Sequence, residues 1–316
     1  MKPGTDVRAK DVPAAKARET RELSSCARER IADEGEFAQF LRWQPLGDAQ
    51  MDRPQKWARP VCERVTLADM GDSRRHRGPH PGDRQMFSAE ALPRLQAAVA
   101  DLSWLRTRNY TEASAIKLVG DRYQLRGRQR VAVGRCACAE EKRESRAMRA
   151  LRPGDIAGET LAIDGLNVIT TIEVALGGGV LLIGRDQCMR DMASFHGSYR
   201  LVHETERAVE ILISIIDSMK PTETVVYVDR PVSNSGRLAE LIRNVAAGAA
   251  SRVIAQTADG VDETLKNVRA VVATADSAIL DVCERWLNLA RIAVERHRSE
   301  LGPIWLLDLS DGKAVP

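Results

Sequence analysis

The chain has 316 residues, 44% hydrophobic and 29% charged, long enough for about two domains. No apolar run approaches the ~20 residues of a spanning helix. The N-terminus "MKPGTDVRAKDVPAAKARET" has no apolar signal core, so a cytoplasmic protein with no membrane partner is expected. The net charge of +3 hides an asymmetry: 13 Lys/Arg against 6 Asp/Glu from Ala91 to Ala150, or +7, and 17 against 23 from Leu151 to Pro316, or −6. Basic surface attracts polyanions, and clustered carboxylates can hold divalent cations.

Residues 1–85 lack sustained periodicity and read as an N-terminal extension with little stable fold of its own. Leu23 to Leu41 is the best candidate for a short helix, and "GDSRRHRGPHPGDRQ" reads as linker. Residues 86–150 read as a small basic helical module. Leu92, Leu95, Val99, Leu102 and Leu105 recur at helical spacing. Thr111 is placed to cap a second helix ending near Gly120, and a third begins after Leu125. Arg122, Arg126 and Arg130 are four apart and would share a face on a continuous helix, a surface suited to nucleic acid or to docking on the acidic part.

Residues 151–316 alternate short apolar runs with helical patterns. "TLAID", "GGVLLIGRD", "ETVVYVD", "SRVIAQT", "RAVVATAD" and "PIWLLDLS" read as strands. Glu204 to Met219, Gly236 to Ala247 and Ser277 to about Arg298 read as helices. Strands apolar on both faces and separated by helices predict an α/β fold, a three-layer, mostly parallel sheet preceded by the helical module. The six cysteines are spread out, with only Cys136 and Cys138 close together. That spacing points to reduced thiols rather than a zinc site.

Three strands end in aspartate: Asp164, Asp229 and Asp276. In an open parallel sheet, functional groups gather at the carboxyl ends of the strands. Converging carboxylates repel, and a Mg2+ or Mn2+ ion removes that repulsion while activating water and stabilising charge on a phosphate. Asn167, Asp186 and Asp281 are further candidate ligands or supports. In "DGLN", Gly165 allows a tight turn or close approach of a substrate, although such residues also make ordinary turns. In "DRPVSNSGR", Ser233, Ser235 and Arg237 form a candidate phosphate seat, with Arg190 a further phosphate contact.

"LAIDGLNVIT" and "VVATADSAILD" resemble the PIN-like nuclease superfamily, including its NYN branch. The matching positions are Asp164, Gly165, Asn167, Thr274 and Asp276. The resemblance implies a three-layer α/β fold, acidic metal ligands and RNA as substrate. "RNYTEASAIKLVGDRYQLRGRQR", "IDGLNVITTIE", "RDQCMRD" and "VDRPVSNSGR" are similar to an uncharacterised prokaryotic family that joins a basic helical module to such a domain. The expected function is metal-dependent hydrolysis of RNA, with DNA as a second substrate class. The alternative is a non-catalytic nucleic-acid-binding or regulatory protein that keeps the fold.

Overall fold

The computed structural model describes residues 76–193 and 199–310. The short helix expected within Leu23–Leu41 lies outside them. Five helices come first: α1 (Asp83–Met86), α2 (Leu92–Thr107), α3 (Glu112–Arg122), α4 (Gly127–Cys136) and α5 (Glu140–Arg149). They pack around Leu95, Val99 and Leu102 of α2, which are wholly buried. Gly120 does not end α3, which continues to Arg122. The chain then turns, with Gln124 in the left-handed region at φ 49°. Arg122 therefore ends one helix, Arg126 precedes the next and Arg130 lies inside it. The four-residue spacing does not make one basic face.

The α/β part follows in the order β1 (Thr160–Asp164), α6 (Gly165–Leu176), β2 (Val180–Ile183), β3 (Met189–Asp191), α7 (Glu204–Met219), β4 (Glu223–Asp229) and α8 (Ser235–Ala246). It continues with β5 (Val253–Ala258), α9 (Val261–Asn267), β6 (Val271–Ala273), α10 (Ser277–Leu280) and β7 (Trp286–Leu287). It ends with α11 (Leu289–Arg296), α12 (Arg298–Leu301) and β8 (Trp305–Asp308). The helix expected over Ser277–Arg298 is thus divided, because Trp286 and Leu287 pair with β6 as an edge strand.

The main sheet is parallel, in the order β5-β4-β1-β6-β7. The chain builds outward from β1 through β4 to β5, then returns to the other side of β1. That reversal is the kind of switch point where open α/β sheets place ligands. Alternation along β1 feeds two cores. Leu161 and Ile163 pack with α6, α7, α8 and α11, while Ala162 packs with α9 and α10.

A second sheet, β3-β2-β8, stands apart from the first. It explains the uninterrupted apolar run of β2, whose strand is covered on both faces. Leu181 and Ile183 join the α/β core, while Val180 and Leu182 join the core of the helical module. The module is therefore seated on apolar side chains as well as on charge.

The stretch read as linker is held firmly where it is described. Arg77 Nε donates to Glu173 Oε2 at 2.9 Å, and Arg128 pairs with the buried Asp83 at 2.7 Å. Among the described residues, no helix is long and apolar enough to cross a membrane.

Candidate functional site

β4, β1 and β6 lie side by side, which brings their carboxyl ends together. Asp164 ends β1 opposite Tyr227, two residues before Asp229 at the end of β4. After β6, Thr274, Ala275 and Asp276 lead into α10. A cavity of about 640 Å³ opens at this edge, lined by Asp164, Asp229, Asp276 and Asn167. Asp262, in the first turn of α9, joins them. The lining also includes Thr170 of α6, Asp191 of β3 and Val131, Gly134 and Arg135 of α4. The helical module thus forms one wall.

Short-range contacts fix each acid. Asp164 caps α6, its Oδ1 accepting from Asn167 N at 3.2 Å and its Oδ2 from Thr274 Oγ1 at 2.9 Å. Thr274 Oγ1 also accepts from Asp276 N at 3.1 Å, so one hydroxyl ties the ends of β1 and β6 together. Asp276 caps α10 through Oδ1, which accepts from Ala278 N at 2.7 Å and Ile279 N at 3.2 Å. Asn167 Oδ1 accepts from Ala275 N at 2.8 Å. Gly165 serves packing rather than approach to a substrate. A Cβ there would lie 2.8 Å from Tyr227 O and 2.9 Å from Val226 Cγ1, so glycine lets α6 start hard against β4.

The electrostatics follow from burial without a counter-charge. The Asp164 carboxyl is raised to about 7: burial is the main cause, the Thr274 hydroxyl and the Asn167 N–H work against it, and the charges of Asp229 and Asp262 add to it. Asp229 is also raised, by burial first and by Asp262 second, against the Val261 N–H. Among the described residues, Asp164, Asp229, Asp262 and Asp276 form no ion pair, whereas the buried Asp83, Glu173, Asp186 and Asp191 each face an arginine.

Other residues singled out from the sequence lie elsewhere or are already engaged. Asp186 does not line the cavity. It accepts from Arg190 Nη1 at 2.8 Å, Arg190 Nη2 at 2.6 Å, Arg146 Nη1 at 2.5 Å and Cys188 N at 3.2 Å. Those four bonds use the lone pairs a metal would need, so Asp186 is a buried ion-pair partner rather than a ligand. Asp281 is likewise taken by Arg146, at 2.6 Å. Arg190 reaches the cavity wall, but its guanidinium holds Asp186 and, through Nε, Ala275 O at 3.0 Å. It positions the loop that carries Asp276.

The proposed phosphate seat is not formed at the cavity. Ser235 is buried and donates to Arg230 O at 3.2 Å, while Ser233 and Arg237 are exposed away from the lining. Among the basic residues, Arg122 sits 3.5 Å from Asp101, Arg126 donates to Gln85 at 2.9 Å, and Arg130 pairs with Asp121 at 2.7 Å. None of the three lines the cavity; Arg135 does.

Asp262 and Thr170 were missing from the sequence-derived set. Asp262 follows the end of β5 by four residues and reads as an ordinary first-turn acid favoured by the helix dipole. A fourth strand end preceding a Gly-Val-Asp turn was its only signal. Thr170 carries none, since nothing in the sequence marks one threonine of α6 as lining a cavity.

A hard divalent cation fits the donors by type, because every candidate ligand is an oxygen. Among the described residues, no three His, Cys, Asp or Glu side chains gather as a ready-made metal group. The arrangement suits an ion held by one or two carboxylates with water completing its shell, as magnesium commonly is.

Fold and pocket together define a doubly wound α/β protein with an acidic cavity at its switch point, walled on one side by a helical module. Residues 153–292 match a family described as a domain of unknown function (DUF5616). Residues 94–149 match another described as a protein of unknown function (DUF434). The chain is similar to an uncharacterized protein, MJ0935, of Methanocaldococcus jannaschii, with 27% identity over 186 residues, covering 59% of this chain and 88% of the archaeal one. No solved structure matches.

Proposed function

We propose that the protein is a divalent-metal-dependent phosphodiesterase acting on RNA. The observation that carries this reading is the set of four cavity carboxylates with no ion pair among the described residues, one of them with its proton affinity raised to about 7. The resemblance of "LAIDGLNVIT" and "VVATADSAILD" to PIN-like nucleases adds support.

A Mg2+ or Mn2+ ion bound by these acids would supply water activation and relief of the charge that builds on phosphorus. Asp164 and Asp229, on adjacent strands, are its best ligands, with Asp262 and Asp276 beside them. Thr274 and the Asn167 N–H hold Asp164 in orientation. Arg190 fixes the Ala275–Ser277 loop and so the placement of Asp276. The cavity of about 640 Å³, with α4 residues in its lining, has room for a nucleotide unit.

Cleavage of labelled single-stranded RNA with Mn2+ tests the reading. Wild type is expected to cleave, and Asp164→Asn is expected to lose activity by at least about a hundredfold. Equal cleavage by the variant would remove the chemistry from this cavity. The second reading, a non-catalytic nucleic-acid-binding protein, draws on the lack of three gathered metal ligands among the described residues. Tight, salt-sensitive RNA binding without cleavage would favour it.

A further inference from the structure

Helix α10 is a single turn, Ser277–Leu280, with Asp276 as its cap. A helix that short does not hold itself together in water, because one turn fixes several residues for few hydrogen bonds. Ile279 and Leu280 anchor its inner face in the core that also contains Ala162, Val261 and Trp286. Asp276 Oδ1 serves the amides at its start. The carbonyls at its other end need partners from elsewhere, since the last carbonyls of a helix have none within it.

Those partners come from the helical module. Arg149, the last residue of α5, donates from Nη2 to Leu280 O at 2.9 Å and from Nη1 to Cys283 O. Arg146, one turn earlier, donates from Nη2 to Ser277 O at 3.1 Å and to Asp281 Oδ1 at 2.6 Å. Trp286 Nε1 donates back to Arg146 O at 2.8 Å, and Leu151 N donates to Trp286 O at 2.8 Å. On the other side of Asp276, Arg190 Nε holds Ala275 O. The segment that carries Asp276 is thus gripped before and after by guanidinium groups, two of them from α5. Arg149 forms no ion pair among the described residues; its remaining bonds go to Ser145 O and Ser145 Oγ. What it supplies is donors, not neutralisation of an acid. Neither Arg146 nor Arg149 lines the cavity, whereas Asp276 does.

We propose that Arg146 and Arg149 are positioning residues for metal binding in the cavity. By satisfying the carbonyl end of α10 they set the place of Asp276, so the helical module completes the acidic site of the α/β domain. This rests on the reading of the cavity as a divalent-metal site for RNA hydrolysis, and the test keeps the two apart.

Arg149 is the better probe, because Arg146 also holds Asp186. Calorimetric titration of the full chain with Mn2+, below the melting temperature, compares wild type, Arg149→Met, Arg149→Lys and Arg128→Met. Methionine at 149 keeps an apolar stem and removes the donors; lysine keeps the charge and a single donor group. Arg128→Met breaks an ion pair with Asp83 confined to the module. The expected result is about tenfold weaker Mn2+ binding in Arg149→Met, a smaller loss in Arg149→Lys, and wild-type affinity in Arg128→Met despite a lower melting temperature. The sign is diagnostic. Removing a positive charge strengthens cation binding through electrostatics alone, so weaker binding requires a displaced ligand. Hydrogen exchange of the Ala278 and Ile279 amides, which Asp276 caps, should quicken in Arg149→Met and not in Arg128→Met. Unchanged or tighter Mn2+ binding in Arg149→Met, or an equal loss in Arg128→Met, would overturn the assignment. RNA cleavage by wild type with unchanged Mn2+ affinity in Arg149→Met would refute the positioning role alone. Weaker Mn2+ binding in that variant without RNA cleavage by wild type would refute the hydrolase reading alone. No Mn2+ uptake by wild type would remove both.

Discussion

Arg146 of α5 and Asp186, in the loop between β2 and β3, form a buried ion pair that fastens the helical module to the α/β domain, Nη1 to Oδ2 at 2.5 Å. Their side chains are 4% and 1% exposed. Burial alone would raise the Asp186 carboxyl, but Arg190 and Arg146 overcome it and hold the group down to about 2. Replacing Asp186 by Asn leaves the buried Arg190 guanidinium without its counter-charge and Arg146 with Asp281 alone. The expected loss is about 3–5 kcal/mol of unfolding free energy at pH 7, measured by urea denaturation. Because the folded value is depressed, this stabilisation is present above the ordinary carboxylate range and is lost as pH falls toward about 2. The gap between wild type and D186N should therefore close on acidification; a gap independent of pH would contradict the pairing.

Asp164 has the opposite sign. Its folded value is raised to about 7, so ionising it opposes folding, and stability falls as pH rises from the ordinary range through neutrality. In chelator-treated protein, Asp164→Asn should melt about 3–8 °C above wild type at pH 8 and close to it at pH 4.5. Added Mn2+ should raise the wild-type melting temperature and leave the variant nearly unmoved. A variant less stable than wild type at pH 8 without metal would show that the charge at Asp164 is already compensated within the protein.

Much of this arrangement was legible because strand ends leave a mark. Asp164, Asp229 and Asp276 each close an apolar run, and the parallel order of β4, β1 and β6 places all three on one cavity. Asp186 carries the same mark and lies elsewhere, because β2 pairs with β3 and β8 rather than with the main sheet. Apolar content shows that a strand is buried, not which sheet it joins. The arginines of the module failed for a local reason: the turn after Arg122 breaks the periodicity that would have aligned them. Thr170 left no trace, since its place in the lining is a property of packing.

Gly165 offers a test of how closely the site depends on that packing. With an ideal Cβ 2.8 Å from Tyr227 O, alanine must push α6 away from β4, and a backbone oxygen cannot yield as a flexible side chain would. Gly165→Ala should lower stability by about 1–3 kcal/mol. It should also weaken Mn2+ uptake, because Asp164 and Asn167 flank the displaced residue. Wild-type stability and uptake in the variant would mean that the helix and strand are not in close contact.

Asp262 tests whether the fourth acid belongs to the site or merely to the first turn of α9. It raises both Asp164 and Asp229 through its charge, while its own side chain is exposed. Asp262→Asn keeps the size and the polar character but removes that charge. Both neighbouring carboxyls should then titrate lower, which carboxyl carbon chemical shifts can follow across pH. If Asp262 supports the ion, Mn2+ affinity and RNA cleavage should fall by about ten- to a hundredfold. If it acts only as a helix-dipole acid, the loss should be confined to about 0.3–1 kcal/mol of stability, with cleavage intact. The two outcomes separate because losing a helix-dipole interaction acts on the metal-free protein, whereas removing a ligand or its support weakens only the metal-loaded one.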